Sequence, residues 1–376
     1  MKLTFPRIGD SHLYGRLLFS ELGIDIVVPP RNSTAGLERG ASISPEDICL
    51  PFKIMADNLI SAWEMGADTV VMPATMGPCR LGEYGELLAV LLRSKGCKFK
   101  WILLDSTSAI GLKELLRRLN SVVEDSTCTK RQIIFALIRT YKLISSFEKF
   151  EAEVRMKNPY KKKNSAKTII RNCRSALESA QDISEGIKIV REYQDEFSAL
   201  ETDRQANPLK VLLTGEIYTL IDPFANHYIE NSLMDVGVSF EKNISIGWWI
   251  QNTVINPFGG FIAERKGNPY MPHRIGGYAK ETISEALRCK EEGYDGIIQI
   301  FPVGCMPEIV AKSVFEGFSK QEDIPVLSII FDEMGGDAGY FTRIEAFTDM
   351  LLRKREMKNV LPGNRCGLSK HRFRCD

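Results

Sequence analysis

The chain has 376 residues, 44% of them hydrophobic and 26% charged, which is the composition of a globular protein with a sizeable core. This length suits two or three packed units rather than one. A net charge of +1 excludes a global field that would attract nucleic acid or an anionic membrane. The longest apolar runs are strand-sized and the first residues lack the apolar core of a signal peptide, so we expect a cytoplasmic protein.

Short β-rich runs alternate with amphipathic segments in the first hundred residues. The pattern predicts strands at residues 3–5, 24–28, 69–72 and 101–104. It predicts helices at residues 12–22, 51–65 and 87–94. The second helix starts at a proline, which suits a first helical position. Strands separated by helices indicate βαβ units and a parallel sheet.

Residues 109–206 have a different character, with few glycines, dense charge and apolar residues at three- and four-residue spacing. This spacing predicts several helices. The basic stretch at residues 157–167 is interpreted as an exposed turn between two of them. A charge run of this kind favours a solvated face over a binding patch.

The strand–helix alternation returns after residue 207. Strands are predicted at residues 210–214, 296–301 and 326–331. Helices are predicted at residues 223–236, 307–319 and 342–355. The predicted fold class is therefore α/β, with two open parallel-sheet domains (1–108 and 207–357), a helical section between them (109–206) and a basic tail (358–376).

Nine cysteines in a large intracellular chain argue against a disulfide framework and favour metal or redox chemistry. Cys79 and Cys305 each follow a predicted strand, and Cys49 directly precedes a proline-started helix. Open parallel sheets place ligand sites where strands end, and a helix N-terminus stabilises a thiolate there. Three such thiolates meeting in one crevice suit a cubane with one open iron, because soft sulfur ligands select iron–sulfur clusters or zinc.

The alternative is that these three cysteines are small buried hydrophobes, as most free cysteines are. That interpretation is preferred for the other six, which lie in or beside charged helices or in the tail: Cys97, Cys128, Cys173, Cys289, Cys366 and Cys375. No CxxC pair exists, so a zinc ribbon or thioredoxin-type chemistry has little support.

Several motifs together resemble the superfamily of 2-hydroxyacyl-CoA dehydratases and benzoyl-CoA reductases, and most closely its activase-related branch. The matching segments lie at residues 5–9 (FPRIG), 49–53 (CLPFK), 215–218 (GEIY), 301–308 (FPVGCMPE), 332–333 (DE) and 342–347 (TRIEAF). The resemblance covers nearly the whole chain outside the helical section. Double-cubane cluster proteins belong to the same superfamily.

The resemblance implies two or three Rossmann-like domains and an oxygen-sensitive [4Fe–4S] cluster on Cys49, Cys79 and Cys305. It also implies a separate iron–sulfur activator that hydrolyses ATP and delivers one low-potential electron, a dimer of identical or related subunits, and an acyl-CoA or other small-molecule substrate. A double cubane needs about twice as many thiolates as one open cubane. One cubane is therefore favoured, unless two chains share a cluster.

Other residues of these motifs are expected near the crevice. Glu216 and Tyr218 follow a predicted strand, and Glu216 is a candidate for moving a proton or orienting substrate; a helix N-cap or a salt bridge is the alternative. Arg7 and Lys53 are candidates for stabilising a reduced cluster or an anionic substrate, or else partners of nearby carboxylates. Because neither GxxxxGK[ST] nor GxGxxG after the first strand occurs, ATP is expected to bind to a partner.

Three functions remain open from the sequence. The first is an iron–sulfur component of an activator-dependent low-potential reductase or dehydratase, in which this chain is an enzyme subunit. The second is a non-catalytic electron carrier or accessory cluster protein. The third is an α/β protein that binds a CoA-type molecule and carries no cluster.

Overall fold

Two parallel sheets flanked by helices form the protein, which confirms the predicted α/β class. The structure is a computed structural model and describes residues 1–74, 79–105, 107–161, 166–203, 205–256 and 265–360. Cys366 and Cys375, and most of the predicted basic tail, lie outside these residues.

The N-terminal sheet has the strand order β1-β2-β3, formed by Leu3–Thr4, Thr69–Pro73 and Lys100–Leu104. All pairs are parallel, with Leu3 opposite Thr69 and Thr69 opposite Lys100. The strand predicted at residues 24–28 was wrong, because only one isolated bridge forms, between Leu3 and Ile26. Pro29 and Pro30 follow and carry no backbone N–H, so the ladder cannot extend.

The C-terminal sheet has the strand order β5-β4-β6-β7. Its strands are Lys210–Gly215 (β4), Ser239–Lys242 (β5), Gly296–Pro302 (β6) and Val326–Phe331 (β7), all parallel. β6 is buried along its whole length and β4 at all but its first residue, as expected for central strands covered on both faces.

The helices are α1 (Ser11–Glu21), α2 (Thr34–Ile43), α3 (Leu50–Glu64), α4 (Tyr84–Ser94), α5 (Thr107–Val122), α6 (Lys130–Lys157), α7 (Ala166–Ser179), α8 (Ile183–Ala199), α9 (Ile217–Ile221), α10 (Ile229–Asp235), α11 (Ile246–Ile250), α12 (Ala279–Glu291), α13 (Met306–Glu322) and α14 (Asp337–Val360). Short 3₁₀ or π turns lie at Arg80–Glu83, Asn158–Tyr160, Gln251–Ile255 and Arg265–Gly267. No helix among the described residues is both long and apolar enough to cross a bilayer.

Two predicted helices differ most from their bounds in the structure. The helix predicted at residues 223–236 begins only at Ile229, because His227 and Tyr228 adopt left-handed φ values of 52° and 56° that a helix cannot accommodate. The helix predicted at residues 342–355 runs from Asp337 to Val360, so residues 358–360, predicted to belong to the tail, are helical.

The helical section packs against both ends of the chain. α6 starts at a capping box in which Thr129 and Gln132 satisfy each other's backbone N–H groups. Along its length α6 contacts α1, α8 and β5. Its buried residues, among them Phe147 and Phe150, belong to the same hydrophobic core as residues of both sheets. The helical section therefore bridges the two sheets through apolar packing.

α2 fixes the position of α3, the helix that follows Cys49. At Gly40 the two helices approach so closely that a Cβ atom would lie 1.9 Å from the carbonyl oxygen of Lys53. Arg39 adds charged hydrogen bonds to Asp57 and Glu64 on α3. The absence of a side chain at residue 40 is thus a packing requirement.

Gly40→Ala should lower the free energy of unfolding by about 1–3 kcal/mol, because a methyl group in this contact forces α2 away from α3. Gly317, in the middle of α13, has open space around its Cα and serves as the matched control. Gly317→Ala should be neutral or stabilise by up to about 1 kcal/mol, since alanine favours a helix over glycine. Urea unfolding of both variants measures the difference, and equal effects would contradict the close packing.

Candidate functional site

The three cysteines singled out by the sequence each occupy a helix N-cap. Cys49 caps α3 and Cys305 caps α13, and both helices have proline in the first turn. Cys79 caps the 3₁₀ turn Arg80–Glu83, which leads directly into α4. Each thiol therefore lies beside backbone N–H groups that have no helical partner.

All three cysteines line one cavity of about 40 Å³, together with Glu216. The Sγ atom of Cys49 lies 3.7 Å from the carbonyl oxygen of Gly304, although the two residues are 255 positions apart. Cys305 and Glu216 follow the carboxyl ends of β6 and β4, the edge where parallel sheets bind ligands. The cavity thus combines loops from both sheets.

Two glycines leave space beside the thiols. Gly304 has a φ of +77° and Gly277 a φ of +56°, both in the left-handed region that favours glycine. A Cβ atom at residue 277 would lie 2.7 Å from a ring carbon of Pro307 and 3.9 Å from the Sγ atom of Cys79. Any larger residue there would crowd the thiol cavity.

Arg80 and Tyr84 also line the cavity, and the sequence analysis did not identify either. Arg80 directs Nη2 at the Sγ atom of Cys49 (3.5 Å) and at the carbonyl oxygen of Gly304 (3.0 Å). The Tyr84 hydroxyl is hydrogen-bonded to Cys49, and burial together with this thiol raises its pKa. Their only sequence signal is their position one and five residues after Cys79.

Burial and charge act against the thiolate form of these cysteines. Burial raises the pKa of Cys79 and of Cys305, and the nearby Glu216 carboxylate raises both further. The helix N-termini favour thiolates, but desolvation outweighs them here. Coordination to a metal reverses this balance, because it deprotonates a thiol outright.

Glu216 and Tyr218 have different positions relative to the cavity. Glu216 caps α9, accepting hydrogen bonds from the backbone N–H groups of Tyr218 (2.9 Å) and Thr219 (2.8 Å), while it also lines the cavity. Burial raises the pKa of Glu216. Tyr218 is buried behind it and donates its hydroxyl proton to the carbonyl oxygen of Arg7 at 3.0 Å. Tyr218 is not among the residues that line the thiol cavity.

Arg7 and Lys53 also lie outside the cavity lining. The Lys53 ammonium is buried and pairs with Glu333 at 2.6 Å. Arg7 donates to the carbonyl oxygen of Pro29 (3.2 Å) and contacts Nε2 of His12 (2.8 Å). Lys53 therefore has a carboxylate partner, which was the alternative expected for it. Arg7 lines a different cavity.

The four other described cysteines are separate from the cavity: Cys97, Cys128, Cys173 and Cys289. Across the described residues, no three His, Cys, Asp or Glu side chains lie close enough to hold one metal ion. This result concerns side chains that bind one and the same ion. A cubane binds each cysteine at a different iron and so holds the sulfur atoms farther apart. Three thiols beside glycines and helix N-termini are a donor set of the kind that iron–sulfur clusters take.

No family model matches the chain, and no curated protein is significantly similar to it.

Glu308 is a further buried carboxyl group behind Cys305 that the sequence analysis did not single out. Only 1% of its surface is exposed. It accepts hydrogen bonds from Gln299 Nε2 (2.8 Å) and Thr282 Oγ1 (3.2 Å). Burial nevertheless raises the pKa of Glu308 from 4.5 to about 7. The folded chain therefore holds this proton more tightly than the unfolded chain does.

For the metal-free chain, this carboxyl group should make the free energy of unfolding fall as pH rises from about 4.5 to about 7. The folded state binds the proton through this range and the unfolded state has already lost it, a difference on the order of 3 kcal/mol. Glu308→Gln should remove this contribution. Urea unfolding at about pH 5 and about pH 7.5 tests this expectation.

Glu316, exposed on the same helix, supplies the control. Glu316→Gln should retain the pH dependence of the wild type. An identical pH dependence in the Glu308→Gln variant and the wild type would contradict the assignment.

Proposed function

We propose that this chain holds a [4Fe–4S] cluster on Cys49, Cys79 and Cys305 and acts as the iron–sulfur component of an activator-dependent, low-potential reductase or 2-hydroxyacyl-CoA dehydratase-like system. The observation that carries the proposal is the convergence of these three thiols, from three separate loops, on one cavity. Soft thiolate ligands select iron–sulfur clusters. The sequence motifs support membership of the dehydratase superfamily, in its activase-related branch.

A bound cubane of this kind supplies one-electron chemistry at low potential and an iron without a cysteine ligand. The chain's own residues hold and adjust that site. Arg80 and Tyr84 place hydrogen-bond donors on the Cys49 sulfur, where they would orient it as a ligand. Glu216 places a buried carboxyl group, whose pKa burial raises, beside the thiols, where it can exchange a proton with a bound molecule.

The proposed system includes an ATP-hydrolysing activator and a second copy or related subunit. The chain lacks both glycine-rich nucleotide motifs, which supports assigning ATP to the activator. Turnover assays with activator, ATP, reductant and acyl-CoA separate an enzyme subunit from a non-catalytic carrier. A colourless, iron-free protein after anaerobic purification would favour the third function, binding of a CoA-type molecule without a cluster.

Cys79→Ser should cause a large loss of iron after anaerobic purification, because it removes one of three ligands. The loss in cluster affinity should exceed the roughly 10–100-fold cost of removing a partner outside the ligand set. Cys128, similarly half-buried but distant from the cavity, provides the matched control, and Cys128→Ser should keep wild-type iron.

Iron and sulfide analysis with electron paramagnetic resonance measures both variants, and circular dichroism confirms folding. Wild-type iron content in the Cys79→Ser variant would refute the ligand assignment.

Arg80→Gln should lower the reduction potential of the bound cluster by on the order of 50 mV, since it removes a cationic donor from the Cys49 sulfur. Arg93→Gln removes the same charge from an exposed position on α4 and should leave the potential nearly unchanged. A redox titration followed by electron paramagnetic resonance compares them. Equal shifts would mean that general charge, and not the hydrogen bond, sets the potential.

A further inference from the structure

A second cavity, of about 550 Å³, lies between the helical section and both sheet domains. It shares no lining residue with the thiol cavity. Its walls come from α1, α6, α7 and α10 and from the segments at residues 7–10, 31–32, 221–228 and 242–246. This volume is typical of a site for a small organic molecule.

Charged side chains are numerous in the walls of this second cavity. Seven are cationic: Arg7, Arg31, Arg155, Lys167, Arg171, Arg174 and Lys242. Six are carboxylates: Asp10, Glu148, Glu151, Glu178, Asp222 and Glu230. A ligand without polar groups would leave these charges without new partners, so the cavity suits a ligand that carries charge.

The carboxylates already have partners on the protein. Glu230 accepts from Lys242 at 2.7 Å and lies 3.3 Å from Arg155, and these cations lower its pKa to about 2. Arg174 contacts both Asp10 and Glu151.

The other three carboxylates are also engaged. Glu178 binds Arg31, Glu148 accepts from the Gly247 N–H and the Ser245 hydroxyl, and Asp222 accepts from the N–H groups of Gly9 and Ala225. Little acceptor capacity is therefore left for the remaining cations.

Several donors on these cations remain available to a ligand, although Arg155 Nη1 lies 3.3 Å from Glu230. Arg155 is only 4% exposed, and its Nε atom has no hydrogen-bond acceptor. No carboxylate of the described chain lies within salt-bridge distance of Arg7 or Arg171. Burial, followed by the neighbouring Arg31 charge, lowers the pKa of Arg7. The charges of Arg7 and Arg31 repel each other, and the buried Nε–H group of Arg155 lacks an acceptor. Both are costly unless a ligand supplies an acceptor.

We infer that this cavity binds a small polyvalent anion, bearing phosphate or several carboxylate groups, through Arg7, Arg155 and Arg171. Guanidinium groups bind phosphate and carboxylate oxygens alike through paired hydrogen bonds. The inference therefore covers both kinds of anion. The inference goes beyond the proposed cluster function and does not depend on it.

Isothermal titration calorimetry of the full chain with pyrophosphate and with citrate, in low-salt buffer, tests the inference; sodium chloride at equal ionic strength is the reference. At least one polyvalent anion should bind saturably and chloride should not. Arg7→Gln should weaken that binding about ten-fold, the loss of one charge-assisted contact. Arg118→Gln, which removes a half-buried arginine paired with Glu114 elsewhere, should leave it unchanged.

Binding of pyrophosphate alone would identify a phosphate-bearing ligand, and binding of citrate alone a polycarboxylate. Arg171 is exposed, so Arg171→Gln should fold normally and still weaken binding several-fold. This variant tests the inference if the Arg7→Gln chain does not fold. The inference fails if neither anion binds the wild type, or if binding survives in the folded Arg7 and Arg171 variants as it does in the Arg118 control. Iron analysis of the same samples reports on the thiol site separately.

Discussion

The parallel pairing of β4 with β6 is the constraint on which the thiol cavity depends. Their register sets Gly215 opposite Ile300, and the Glu216 N–H donates to the Ile300 carbonyl at 3.0 Å. Gly215 has a φ of +137°, and a Cβ atom there would lie 1.9 Å from that carbonyl oxygen. Only glycine allows the strands to stay paired to this point. Glu216 and the loop carrying Cys305 are consequently held at the same edge of the sheet.

Opposing electrostatic effects act on the protonation state of the thiols in the cavity. Helix N-termini and the Arg80 guanidinium favour thiolates, whereas burial and Glu216 favour protonated thiols. For Cys79 and Cys305 burial prevails. A metal that took these thiols as ligands would displace their protons, so its affinity would rise with pH. The helix N-termini and Arg80 would then stabilise thiolates that burial disfavours.

The sequence predicted most of the scaffold because its signals are local. The strands at residues 69–72, 210–214, 296–301 and 326–331 are apolar runs bounded by glycine, proline or charge, and the structure reproduces them within a residue or two. The run at residues 24–28 looked similar, but the two prolines after it leave a single bridge. The left-handed turn at His227 and Tyr228 was not predicted, since neither residue is glycine, which adopts positive φ most readily.

The grouping of Cys49, Cys79 and Cys305 could be proposed from strand ends and helix starts, and the structure brings them to one cavity. The supporting residues could not be found in this way. Arg80 and Glu308 acquire their contacts from residues distant in sequence, and no local pattern marks them. For the same reason Arg7, expected near the cluster site, lies in the second cavity: its motif position shows which loop carries it but not which way that loop faces.

The 255 residues that separate Cys49 from Gly304 have a consequence for biosynthesis. Contacts so distant along the chain form late in folding, because the loop between them must close first. During translation, the N-terminal sheet emerges with Cys49 and Cys79 long before β6 and the Cys305 loop exist. The three thiols can therefore share a cavity only after the chain has been synthesised beyond Cys305, late in translation.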